Sequence, residues 1–168
     1  RETDGGAFVL FTSFRTLNAV AERIADRLVD DSFPLHIQGI GVPRNTLLER
    51  FRTDERSVLF GVASFWQGVD VRGRALRNVI ITRLPFEVPD RPIVQARHEL
   101  IESRGGKPFS EDSLPRAVLR FKQGFGRLVR SSTDEGRVVV LDPRIITKRY
   151  GRMFLDALPD GIVAQVVG

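Results

Sequence analysis

Apolar residues fall into two patterns along this chain: short unbroken runs, and stripes recurring at spacings of three and four. The runs Ala7 to Thr12, Ser57 to Val62, Asn78 to Leu84 and Arg137 to Leu141 are strand-sized, and Pro34 to Gln38 reads as a shorter strand. The stripes predict helices. Leu17, Val20, Ile24 and Leu28 share a face between Thr16 and Val29, and Leu47, Leu48 and Phe51 line a helix opened by Pro43. Further helical patterns run from Pro92 to about Glu102, from Leu114 to about Val129 and from Tyr150 to Leu158.

Strands alternate with helices, and the runs are apolar at consecutive positions, as strands buried on both faces must be. The pattern predicts a three-layer α/β domain with a mostly parallel sheet covered by helices on each side. At 168 residues the chain suits one domain spanning 1–168. Two stretches read as irregular, Pro85 to Pro92 with its three prolines and Gly105 to Asp112. Connections of that size in a compact domain tend to carry function.

Composition narrows the chemistry. There is no cysteine, which removes disulfides and thiolate-held metals from this segment. His36 and His98 are far apart in sequence and lack ligand-spaced acidic partners, so no metal site is expected. No apolar run approaches the length that spans a bilayer, and no targeting segment is visible, which predicts a cytoplasmic protein without membrane contact. The formal charge is +5, with only Lys107, Lys122 and Lys148 as lysines. Arginine's planar fork suits phosphate, although a GC-rich coding sequence also enriches arginine. The chain opens on Arg1 and its one methionine is Met153, so a piece of a longer protein is expected.

The sharpest element lies in the helical pattern after Leu114. Val118, Phe121, Phe125, Leu128 and Val129 form an apolar stripe, and Arg120, Gln123, Arg127 and Arg130 form a polar row opposite. A solvated face would satisfy that spacing too. Yet Gly124 and Gly126 interrupt it, each costing about 1 kcal/mol of helix propensity, which suggests close approach of a ligand or another backbone. Guanidinium groups beside a transferring phosphoryl group stabilise charge that develops in the transition state.

Gln123-Gly-Phe-Gly-Arg-Leu-Val-Arg130 resembles the QxxGRxxR signature of superfamily 2 helicases. Ser64-Phe-Trp-Gln-Gly-Val-Asp70 resembles the fifth motif of the DinG/XPD group, with Gln67 where an acid is common. Phe11-Thr-Ser-Phe-Arg15 is similar to the fourth motif. The run Leu84-Pro-Phe-Glu-Val-Pro-Asp-Arg-Pro92, the Gln95-Ala-Arg97 segment, Pro108-Phe109 and Val140-Leu-Asp-Pro-Arg144 complete the likeness, in order, over most of the chain.

The resemblance implies the second RecA-like domain of an ATP-dependent DNA helicase. Arg130 would be the arginine finger on the γ-phosphate, with Arg127 beside it. Gly68, Asp70, Gln123 and Gly126 would complete this side of the nucleotide site. Ser13, Arg15 and Ser64 would touch single-stranded DNA. ATP would lie between this domain and an N-terminal RecA-like partner that carries the Mg²⁺ ligands, and in many family members an iron–sulfur cluster. The family implies 5′-to-3′ movement in repair or replication, and an isolated domain unable to hydrolyse ATP. Two other readings stay open: the C-terminal half of an RNA helicase, and a non-motor nucleic-acid-binding module of a nuclease-associated relative. The oligomeric state is not legible.

Overall fold

The computed structural model describes residues 3–62, 65, 71, 75–125, 136–159 and 162–166, the Phe125 side chain excepted. Its frame is a five-stranded, all-parallel sheet in the order β2-β3-β1-β4-β5. The strands are β1 Ala7–Leu10, β2 Leu35–Ile37, β3 Val58–Gly61, β4 Asn78–Ile81 and β5 Arg137–Val140. All five fall on predicted runs, each trimmed by one to three residues where pairing gives way to a loop.

Side chains in these strands alternate between two cores. Ala7 and Val9 of β1, with Val58 and Phe60 of β3, face α1 (Phe14–Asp30) through Leu17 and Ala21, with Val20, Ile24 and Leu28 packed alongside. Phe8, Leu10, Leu59, Val79 and Ile81 face the opposite way. There they meet α2 (Arg44–Thr53), α4 (Leu114–Phe125) and α6 (Gly151–Asp156) through Leu47, Leu48, Phe51, Leu114, Ala117, Phe121 and Phe154. Aromatic rings tie this second core together. Phe8 meets Phe51 and Phe65 at 6.4 and 6.1 Å, and Phe121 meets Phe154 edge-on at 5.4 Å. The remaining helix of the first half of the pattern, α3, spans Pro92–Glu102 as predicted.

Three differences from the sequence reading have local causes. The α1 helix starts at Phe14, not Thr16, because the Ser13 hydroxyl accepts a hydrogen bond from the Thr16 amide at 3.3 Å and caps the first turn. The stretch Gly105 to Asp112 is not wholly irregular. A π-helical turn, Phe109–Ser113, runs directly into α4, with Lys107 donating its amide to the Glu111 carboxylate. A four-residue helix, α5 (Arg144–Thr147), follows Pro143 and abuts α6 closely. A Cβ at Gly151 would stand 2.1 Å from the Ile145 carbonyl oxygen, so only glycine fits there. The last turn of the predicted 114–129 helix lies outside the described residues.

Candidate nucleotide and nucleic-acid site

The registers place all five strand ends along one edge: Leu10 pairs with Gly61 and Ile81, Ile37 with Phe60, and Ile81 with Val140. The loops after β1, β3, β4 and β5, which begin the fourth-motif, fifth-motif, Leu84-Pro-Phe and Leu141-Asp-Pro segments, therefore leave from the same side of the sheet. The β1–α1–β2 unit winds to one side of β1, and β4 and β5 lie on the other. The winding direction changes between β1 and β4, and open α/β sheets take ligands at such switch points.

Of the predicted DNA contacts, Ser13 and Arg15 stand exposed at the head of α1, at the carboxyl end of β1. The Ser13 hydroxyl is engaged as the cap, and also lies 3.1 Å from the Thr16 hydroxyl. Ser64 lies outside the described residues. Its described neighbours Val62 and Phe65 are each hydrogen-bonded. Val62 donates its amide to the Gln38 side-chain oxygen at 2.8 Å, and Phe65 donates its own to the Val62 carbonyl at 2.8 Å. The Phe65 ring is fully buried, with the Arg44 guanidinium 5.2 Å from its centroid.

Of the predicted nucleotide residues, Gln123 is exposed near the carboxyl end of α4. Gly68, Asp70, Gly126, Arg127 and Arg130 lie outside the described residues. Arg120, which spacing put in the same row, has another partner: it is ion-paired with Glu87 from the loop after β4. The first member of the polar row that the spacing drew is thus ion-paired within the domain.

Glu87 belongs to a network that the motifs only hinted at. Arg97 of α3 bridges Glu87 and Asp112, donating to the latter at 3.1 Å, and Arg116 of α4 donates to Asp112 at 2.6 Å. His98 adds its Nε2 at 3.1 Å from the Ser113 hydroxyl and 3.5 Å from Asp112, an acidic neighbour that sequence spacing did not reveal. Burial works to raise both carboxyl pKa values. The guanidinium groups outweigh it, Arg120 and Arg97 at Glu87 and Arg116 and Arg97 at Asp112, and both are held below the ordinary carboxylate range.

The second unpredicted centre is Asp142, after β5. It accepts hydrogen bonds from the Leu84 amide at 2.9 Å and the Arg144 amide at 3.0 Å, and takes the Arg144 guanidinium in a forked pair. Burial pushes its carboxyl up, but Arg144 and the two amides bring it down to about 2. Arg144 also lies over the Phe86 ring at 5.5 Å. The segments around Leu84, Arg97 and Asp142, read from the sequence as family markers, are the joints that fix the β4 and β5 loops to the helices. The signal available beforehand was the Asp112–Arg116 spacing of four, which suits a helical ion pair.

A three-layer α/β domain with an all-parallel sheet and motif loops along its carboxyl edge is a RecA-like domain. Solved structures share it: apo XPD aligns with a TM-score of 0.69 at 19% identity, covering 90% of this chain and 31% of that one. The second domain of the DEAD-box helicase Mss116p, bound to an RNA duplex, aligns at 0.58 and 16% identity, covering 94% and 49%. The helicase C-terminal domain model matches residues 1–161, and the chain belongs to that family. Curated relatives include the 3′-5′ exonuclease DinG of Bacillus subtilis, 42% identical over 99% of this chain, and the ATP-dependent DNA helicase YoaA of Haemophilus influenzae, 42% identical over 93%. The ATP-dependent helicase DinG of Mycobacterium tuberculosis is 43% identical over 92%. The chain spans 18%, 24% and 23% of those three proteins, respectively.

Among the described residues, no helix is long and apolar enough to cross a membrane.

Proposed function

We propose that this domain is the second motor half of an ATP-dependent DNA helicase of the DinG/XPD type. The observation that carries the reading is the family match across residues 1–161, together with relatives named as DNA helicases over more than nine-tenths of the chain. The geometry adds that α1 presents Ser13 and Arg15 exposed at the carboxyl edge of the sheet. In this reading Arg130 is the finger on the γ-phosphate, and Arg127, Gln123, Gly126, Gly68 and Asp70 complete its side of the nucleotide site. Ser13, Arg15 and Ser64 hold single-stranded DNA. Closure on an N-terminal RecA-like domain assembles the active site, and cycles of closing and opening move the strand 5′ to 3′.

Mg²⁺ fits that partner domain better than this one. Among the described residues no three His, Asp or Glu side chains converge, and Glu87, Asp112 and Asp142 are each engaged by arginine. When bound, the ion would neutralise phosphate charge. An iron–sulfur cluster finds no thiolate in this chain, which has no cysteine.

In the whole protein, Arg130→Ala should lower DNA-stimulated ATP turnover by about 10³-fold while ATP binding falls less. Turnover preserved within a few-fold would remove Arg130 from the finger role. The isolated domain should not hydrolyse ATP, and DNA-stimulated hydrolysis by it would overturn the two-domain site. Duplexes with a 5′ or a 3′ single-stranded tail test the direction of movement, and RNA duplexes test the RNA-helicase alternative.

A second reading has a specific observation behind it: one relative, similar over 99% of this chain, is named an exonuclease. A nucleic-acid-binding module serving a nuclease would degrade 3′ ends without ATP-driven unwinding. Assaying the whole protein for both activities separates the two.

A further inference from the structure

Two loops at the carboxyl edge of the sheet, one between β1 and α1 and one between β2 and α2, meet at an exposed aromatic ring. Phe14 is 46% exposed, although α1 has an apolar core to face. Its ring lies against Gly39, where φ is +94° and a Cβ would stand 3.0 Å from the Phe14 Cε1 atom. Gly39 thus suits both its left-handed backbone and the close approach of the ring. The next residue, Ile40, is 61% exposed. One apolar side chain is thus exposed at the head of α1, and a second on the residue beside the glycine that its ring touches.

The charge around them is one-sided. The chain has 21 acidic residues, yet none lies from Gly5 to Ala21 or from Ser32 to Leu48, the two segments that build this corner. Arg15 and Arg44 both stand exposed there. An exposed aromatic ring flanked by two arginines, on segments that themselves carry no carboxylate, fits a ligand that has flat apolar faces and anionic links between them. Unpaired nucleobases on their phosphate backbone have that character, and stacking on an aromatic side chain tolerates any base.

We infer that Phe14 is a base-stacking residue for single-stranded DNA, with Gly39 keeping room for its ring and Ile40 bordering the stacked base. The inference rests on the DNA-binding reading above and adds a contact to bases, where Ser13 and Arg15 concern phosphates.

The test uses the whole protein and two fluorescent oligonucleotides of equal length, oligo(dT) and an abasic strand that keeps the phosphates. Phe14→Ala should weaken oligo(dT) binding by about 5- to 100-fold and leave the abasic strand's affinity unchanged. Phe14→Trp should retain the preference for oligo(dT), and its indole fluorescence should change on binding. Phe14→Leu, which keeps apolar bulk without a π-face, should behave as Phe14→Ala. If Phe14→Leu binds oligo(dT) as the wild type does, or if both strands weaken equally in Phe14→Ala, stacking is wrong and the ring serves apolar docking or folding. Wild-type protein that binds neither strand overturns the DNA-binding reading itself. Wild-type binding that Phe14→Ala leaves intact overturns this inference alone.

Discussion

Asp142 shows how a single carboxylate can hold a domain's joints. It is 4% exposed, and its pKa of about 2 lies below the unfolded value. A carboxyl whose folded pKa is depressed adds stability that is fully present above its unfolded pKa, and that is lost as pH falls through the folded value. The shift corresponds to about 2 kcal/mol. Asp142→Asn should therefore destabilise the domain by about that much or more at pH 7, because Arg144 also loses its partner. The gap between variant and wild type should narrow as pH drops from 4 toward 2, which urea denaturation across that range would read. A gap that stays constant with pH would mean the carboxylate's charge is not the stabilising feature. Arg120 makes the opposite case. Its guanidinium is committed to Glu87, so Arg120→Ala should alter ATP turnover in the whole protein only a few-fold, far less than Arg130→Ala. A loss as large as that of Arg130→Ala would instead give Arg120 a part in turnover.

At the level of elements, α4 is where packing and chemistry share one helix. Phe121 is 1% exposed and meets Phe154 of α6 edge-on, so the face opposite Gln123 is held by aromatic contact. Phe121→Ala should cost about 3–5 kcal/mol of unfolding free energy, the range for deleting a buried aromatic ring. The head of α1 is held more lightly. Ser13→Ala removes the one side-chain cap found there and should cost about 1 kcal/mol, measured by the same denaturation. If Ser13→Ala also weakens DNA binding beyond what its stability loss explains, the hydroxyl serves the strand as well as the helix.

For the whole molecule, what the sequence disclosed follows the range of the interaction that decides each feature. The strands were legible because a sheet covered on both faces demands consecutive apolar residues, as in Val58-Leu-Phe and Val138-Val-Val. The helices were legible from their stripes, and Pro43 and Pro92 marked two of the starts. The turn at Phe109–Ser113 was not, because Phe-Ser-Glu-Asp-Ser carries no periodic apolar signal. The arginine–carboxylate network was hidden for a different reason. Glu87 finds Arg120 only after α3 and α4 have folded back onto the loop after β4. Of the candidate site, the motifs were readable as strings of residue types, while the partners that hold them came from residues distant in sequence.

The strand order has a consequence for how such a domain comes into being on the ribosome. β1 is the first of these five strands made, yet its neighbours are β3 and β4, and it pairs with neither until Val58 and then Asn78 have emerged. β5 must wait longer for its place against β4, with three helical segments synthesised in between. Pairings this remote fold slowly and leave apolar strands unpaired meanwhile. While this part of the chain is nascent, Phe8, Val9, Leu10 and Phe11 therefore have no sheet to join until β3 is made. In the finished domain the same order should be visible in amide exchange, with the central β1 slowest and the edge strands β2 and β5 fastest.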